Sequence, residues 1–267
     1  MAFRFPIHPS PAVRGVFSAL LIAVLAGGLM PGRVDAASVT LRPGKDTTIY
    51  GNGDANLSNG AGAFLFAGNS GQKRVLRSLV AFNLAGQIPA GATINSVSLT
   101  FGVSTPLAVN SNTVRLHRVL ADWGEGDSLA PMGGGGGAAA TSGGATWNAR
   151  LFGTANWSTP GGDFSPTVSA SQTVRGTSGT VAFSSAGMVA DVQAWVNAPA
   201  ANFGWIMVGQ DEASPTSAVR FASREGSPAP SLVVDFTASS VGANAAPVFT
   251  SQPASQAVSA GATVTIS

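Results

Sequence analysis

From residue 37 onward the chain never runs far without a turn former, and that punctuation confines it to short extended segments. Val39-Thr40-Leu41 and Thr47-Thr48-Ile49-Tyr50 are followed by Gly51-Asn52-Gly53-Asp54-Ala55-Asn56, residues that tolerate φ > 0. Phe64-Leu65-Phe66 and Arg77-Ser78-Leu79-Val80-Ala81-Phe82 come next, closed by Pro89-Ala90-Gly91. After Ile94, apolar and polar residues alternate from Ser96 through Val97, Leu99 and Phe101, the period-two pattern of a half-buried strand. The segment Thr113 to Leu120 continues it with Val114, Leu116 and Leu120, and Phe203 to Val208, Val219 to Arg224 and Leu232 to Phe236 read as later strands. One stretch departs from this pattern. Met188, Val189, Val192, Trp195 and Val196 keep helical spacing, with Ser184 or Ser185 as N-cap and Pro199 as the stop. The expectation is an all-β sandwich carrying one short amphipathic helix.

The first residues have the pattern of an export signal. Arg4 and Arg14 precede an apolar run from Val16 to Met30; Pro31-Gly32-Arg33 follows, and Val34 and Ala36 suit cleavage after Ala36. The run falls short of the about 20 residues that span a membrane comfortably. Residues 1–36 are therefore read as a signal peptide of a secreted or cell-surface protein, against the alternative of an uncleaved N-terminal anchor, with no further membrane segment. They hold Arg4, Arg14 and Arg33 of the chain's 14 basic residues and Asp35 of its 12 acidic ones, so the remainder is formally neutral. A neutral chain offers no cationic surface to displace counterions from phosphates, which argues against a nucleic-acid partner. The absence of cysteine rules out disulfides, thiolate zinc sites and cysteine nucleophiles. An exported chain without disulfides depends on its core, and residues 37–237 are enough for one.

Residues 132–144, Met-Gly-Gly-Gly-Gly-Gly-Ala-Ala-Ala-Thr-Ser-Gly-Gly, contain a GxGxxA string but neither the strand nor the helix that a dinucleotide site requires. They read as a flexible surface loop. Residues 238–246 are small and polar, a linker. A new β pattern opens at Pro247-Val248-Phe249-Thr250-Ser251-Gln252-Pro253 and reaches Val264-Thr265-Ile266. About 20 residues cannot bury a core, so residues 247–267 are read as the N-terminal fragment of a further domain, with more chain expected after residue 267.

A series of short pieces resembles the extracellular DNRLRE domain, grouped with carbohydrate-binding module family 96. They are Asp46-Thr47-Thr48-Ile49-Tyr50, Arg77 to Leu84, Ile88 to Ile94, Leu116-His117-Arg118-Val119, Trp123-Gly124-Glu125-Gly126, Ala145-Thr146-Trp147, Trp157, Pro160-Gly161-Gly162-Asp163-Phe164, Gly204-Trp205-Ile206 and Phe221-Ala222-Ser223-Arg224-Glu225. The resemblance covers residues 38–237, in the family's order. It implies a jelly-roll β-sandwich and, loosely, binding of uronic-acid polysaccharides. The segment from Pro247 resembles the first strands of a bacterial Ig-like domain.

The candidate chemistry is sparse. His117 is the one histidine after residue 36, it lies on an apparent strand, and no Gly-x-Ser-x-Gly elbow accompanies it, so a hydrolytic triad is not expected. Asp122, Glu125 and Asp127 could supply the paired carboxyls of a glycosidase or lyase; the competing reading is a turn whose acids cap strands or meet Arg115, Arg118 or Arg150. Trp123, Trp147 and Trp157 lie in loop-like surroundings where flat rings could stack on pyranose faces, whereas Trp195 and Trp205 sit on core patterns. A uronate would need cations, available at Arg77, Arg115, Arg118, Arg150 and Arg220. The candidate ligand set is Trp123, Trp147, Trp157, Arg115, Arg118 and Glu125. No cofactor is required. Asn52, Asp54 and Asn56 alternate like ligands of a structural Ca²⁺, against the reading of a plain turn. The expected function is that of a non-catalytic carbohydrate-binding module whose partner is a polysaccharide. The alternatives are a structural or adhesive spacer, for which the tryptophans should be buried, and a lyase or hydrolase, which needs Asp122 or Glu125 facing a second titratable group in a cleft.

Overall fold

The computed structural model describes residues 36–53, 55–104, 111–175 and 178–239. Among them fifteen strands and one α-helix follow in order: β1 (Ala36–Leu41), β2 (Lys45–Tyr50), β3 (Leu57–Ser58), β4 (Phe64–Asn69), β5 (Val75–Ala81), β6 (Thr93–Val103), β7 (Asn112–Val119), β8 (Ala138–Ala139), β9 (Ala149–Leu151), β10 (Ala155–Asn156), β11 (Phe164–Val174), β12 (Gly179–Phe183), α1 (Ala186–Asn197), β13 (Trp205–Gly209), β14 (Val219–Ala222) and β15 (Ser231–Thr237). The signal peptide, apart from Ala36, the linker beyond residue 239 and the Ig-like segment lie outside the described residues.

Two antiparallel sheets face each other. One runs β1-β15-β6-β14-β4, with β12 also on β6; the other runs β2-β5-β13-β7-β11, with β3 beside β2 and β8 beside β3. β4 turns the corner between them. It pairs with β14 from Phe64 to Ala67 and with β5 at Gly68 and Asn69. The chain is thus an all-β sandwich with one helix, as the alternating patterns indicated. Between the sheets Leu99, Phe101, Leu116, Phe183, Met207 and Phe221 are fully buried. Phe101 meets Phe183 and Phe221 with ring centroids 6.0 and 5.5 Å apart. Each such side chain removed from water contributes about 1.5–3 kcal/mol.

The helix forms where its spacing placed it. Ser185 is the N-cap, its Oγ accepting from Met188 N at 3.1 Å, and Met188, Val192, Trp195 and Val196 are the buried face. Trp195 packs edge-on against Trp205 at 4.6 Å, so α1 is seated on the main core. Among the described residues no helix is long and apolar enough to cross a membrane.

A third layer covers the outer face of the second sheet. Along β5 side chains alternate, Ser78 and Val80 toward the other sheet and Arg77, Leu79 and Ala81 outward. The outward face is apolar at Leu79, Ile206 and Val119, and water does not meet it. The insertion between β7 and β11 folds back over it, and Trp123, Ala145 and Trp157 complete a second core. This is why Leu79 to Phe82 is an unbroken apolar run, the pattern of a strand covered on both sides.

The glycine-rich stretch within that insertion is not the free surface loop its composition suggested. Tyr50 Oη donates to Gly134 O at 2.5 Å, and Arg74 donates to Gly136 O. Gly134 lies over Phe66, and Gly137, at φ 75°, lies against Leu57 and Tyr50, where an added Cβ would come within 2.9 Å of Leu57. Lacking Cβ atoms, this backbone can lie directly on aromatic rings. The expected strand to Leu120 ends one residue earlier, and Leu120 is 52% exposed.

Candidate ligand cleft

The tryptophans proposed as sugar contacts have other positions. Trp123 is 1% exposed and its Nε1 donates to the Phe203 carbonyl at 2.8 Å, while the Lys45 ammonium lies 4.4 Å from its ring. Trp157 is 5% exposed and donates to the Thr146 carbonyl at 2.9 Å. A stacking platform needs an uncovered ring face. Neither residue has one; both are anchors that fasten the insertion to the sheet. Trp147 is half-buried, its ring slotted between Gly51 and Gly161, where an added Cβ would lie 2.7 and 2.8 Å from it.

The other three candidates do not converge either. Arg115 and His117 share the outward face of β7, but Arg118 points the opposite way, its Nε 3.7 Å from Asp191 on α1. Glu125 belongs to a charge knot elsewhere. Its carboxylate accepts from Asp46 N at 2.8 Å and from Arg224 Nε and Nη2 at 2.8 and 3.0 Å. Glu225 also lies 2.8 Å from Arg224 Nε. Asp46, 1% exposed, accepts from Arg224 N at 2.8 Å through Oδ2, and its Oδ1 has no partner. Burial pushes the Asp46 carboxyl up to about 8, and the nearby Glu225 and Glu125 charges add to the effect, against the opposing Arg224 backbone N–H and guanidinium. Asp46 is therefore a protonated acid at neutral pH. Desolvation also raises Glu125, despite its bonds to Asp46 N and Arg224.

The acids considered as a cleaving pair are thus separately engaged. Asp122 meets Lys45 at 2.9 Å, and although partial burial works against ionisation, that ammonium holds its carboxyl below the usual range. Glu125 is held by Arg224, and Asp127 is exposed. His117 donates from Nδ1 to the Ser165 carbonyl at 2.9 Å, and burial keeps the imidazole below its ordinary value, so it is neutral at pH 7. Asp54, the middle member of the calcium expectation, lies outside the described residues.

What the fold does assemble is an open cleft of about 720 Å³ on the outer side of the second sheet. Arg77 on β5 and Phe164 at the start of β11 meet the insertion there at Leu120, Ala121, Ser158, Thr159, Pro160, Gly162 and Asp163. The backbone bends in at Gly161 and Gly162, at φ 94° and 109°, and Gly162 lies close to Ile206. Both Asp163 oxygens are used, accepting from Ser158 N at 2.8 Å and Thr159 N at 2.9 Å, which fixes the rim. Arg77 makes a bidentate pair with Glu212, Nε and Nη2 each at 2.8 Å, and donates from Nη1 to Gly161 O at 2.9 Å. Its guanidinium carbon lies 4.8 Å from the Trp147 ring centroid and 5.5 Å from that of Phe164.

Of these cleft residues, only Arg77 is a candidate contact from the sequence; Pro160, Gly162, Asp163 and Phe164 enter there only through the family resemblance. The available signal was Pro160-Gly161-Gly162-Asp163-Phe164, a turn ending in an aromatic residue; Glu212, distant in sequence, left none. No family model and no curated protein matches the chain.

Proposed function

We propose that the chain is an exported, non-catalytic module of the DNRLRE type that binds polysaccharide in the cleft between the insertion and the second sheet. The observation that supports this most directly is the mixed lining of that cleft. Phe164, Leu120 and Pro160 offer apolar surface for the C–H faces of a pyranose, beside the exposed Ser158 and Thr159, which can bond its hydroxyls. The separate neutralisation of Asp122 and Glu125 supports binding without bond cleavage.

Titration calorimetry of the full chain against a panel of soluble polysaccharides tests the reading. Binding to at least one of them, weakened about tenfold or more by Phe164→Ala at a temperature where the variant stays folded, is the expected result, with no reducing sugar released. Binding to none, or binding indifferent to both Phe164→Ala and Leu120→Ser, removes it. Burial of Trp123 and Trp157 favours a second reading, a structural or adhesive spacer, and a blank panel would leave that one standing.

A further inference from the structure

The positive charge at the cleft is already met. Arg77 is its one cationic lining residue, and the bidentate pair with Glu212 meets that charge. Three of the five guanidinium N–H groups are occupied, by the two Glu212 oxygens and by Gly161 O, and the side chain is 16% exposed. Asp163 adds a second negative charge on the rim, so the lining and its partner Glu212 together carry one excess negative charge. Arg115 lies on the same sheet face, two strands from Arg77 and therefore about 10 Å away, and does not line the cleft. A carboxylate entering here would lose water, find no free cation among the described lining residues and meet Glu212 and Asp163. A hydroxyl would find the two unused Arg77 N–H groups and the Ser158 and Thr159 side chains.

We infer that the cleft selects a neutral polysaccharide, a chain of uncharged hexose or pentose units, over a uronic-acid polymer. The inference rests on the polysaccharide reading above and narrows it. Arg77 then acts as a positioning residue that holds Phe164 and Gly161, and Glu212 as the group that keeps uronates out.

The test is titration of the full chain with gluco-, xylo- and manno-hexaoses and with hexamers of galacturonate and mannuronate, at low salt and at 0.5 M NaCl. The expected result is neutral binding that changes less than about twofold with salt, and uronate binding at least about tenfold weaker. Glu212→Gln, which frees the Arg77 charge, is expected to raise uronate affinity about tenfold or more. Asp163→Asn is expected to shift the ratio in the same direction and provides the comparison if Glu212→Gln disturbs the fold. Uronates that bind more tightly than the neutral chains, with affinity falling steeply in salt, overturn this inference and leave the polysaccharide reading intact. Binding to neither class removes both.

Discussion

Asp46 keeps its proton in neutral solution because the fold removes it from water and surrounds it with other acids. In the unfolded chain the same carboxyl titrates at its ordinary value of 3.8. Between about pH 4 and about pH 8 the folded state therefore holds a proton that the unfolded state has released. Rising pH across that window favours unfolding, at about 1.4 kcal/mol for each fully separated pH unit, and the loss levels off above it. Asp46→Asn has no such proton to lose. In urea unfolding at pH 5, 7 and 9 the variant should gain on the wild type as pH rises, by a few kcal/mol at the alkaline end; parallel profiles would refute the assignment. Trp123 behaves as a core residue, so Trp123→Ala should cost about 3–5 kcal/mol in unfolding free energy, visible as a lower urea midpoint. The sequence marked Trp123 and Trp157 as loop tryptophans because their neighbours are turn formers. It could not show that the loop would return to an apolar sheet face, since period two tells which way a side chain points and nothing about what covers it.

Among the elements, α1 was the most legible. Its apolar spacing, its Ser185 cap and its stop before Pro199 are all local signals, and the fold follows them. Ser185→Ala should cost about 1 kcal/mol, read as a small fall in melting temperature. The insertion between β7 and β11 lies at the other extreme. Its order comes from long-range contacts: Gly124 passes so close to Gly143 that an added Cβ would lie 1.8 Å from the carbonyl oxygen, and Tyr50 clasps Gly134. Composition alone gave a flexible loop because glycine favours disorder only where nothing packs against it. Gly124→Ala should loosen this layer while the sandwich stays folded. Limited proteolysis should then cut within residues 120–163 much faster than in the wild type, with the far-ultraviolet spectrum nearly unchanged; equal cutting rates would show that the layer does not depend on that close approach. The cleft rim belongs to the same insertion, which is why Arg77 alone of the cleft residues reads as a ligand contact in the sequence.

For the whole molecule, strand patterning was enough to reveal a sandwich, while the pairing order was not, because it is set by which distant strands meet. One result of that order concerns β1 and β15. They are antiparallel neighbours in register from Ala36 opposite Thr237 to Leu41 opposite Leu232, and β1 has no second partner among the described residues. The polypeptide thus enters and leaves the sandwich side by side. Tension applied through positions 36 and 237 reaches the backbone hydrogen bonds one at a time, as in parting a zip, whereas a pull through Leu41 and Thr237 would strain them together. Single-molecule stretching should accordingly give a low rupture force for the first attachment and a markedly higher one for the second, and equal forces would contradict the register. A domain loaded through these two positions would give way early under traction, because its terminal strands part before the sheets behind them are strained.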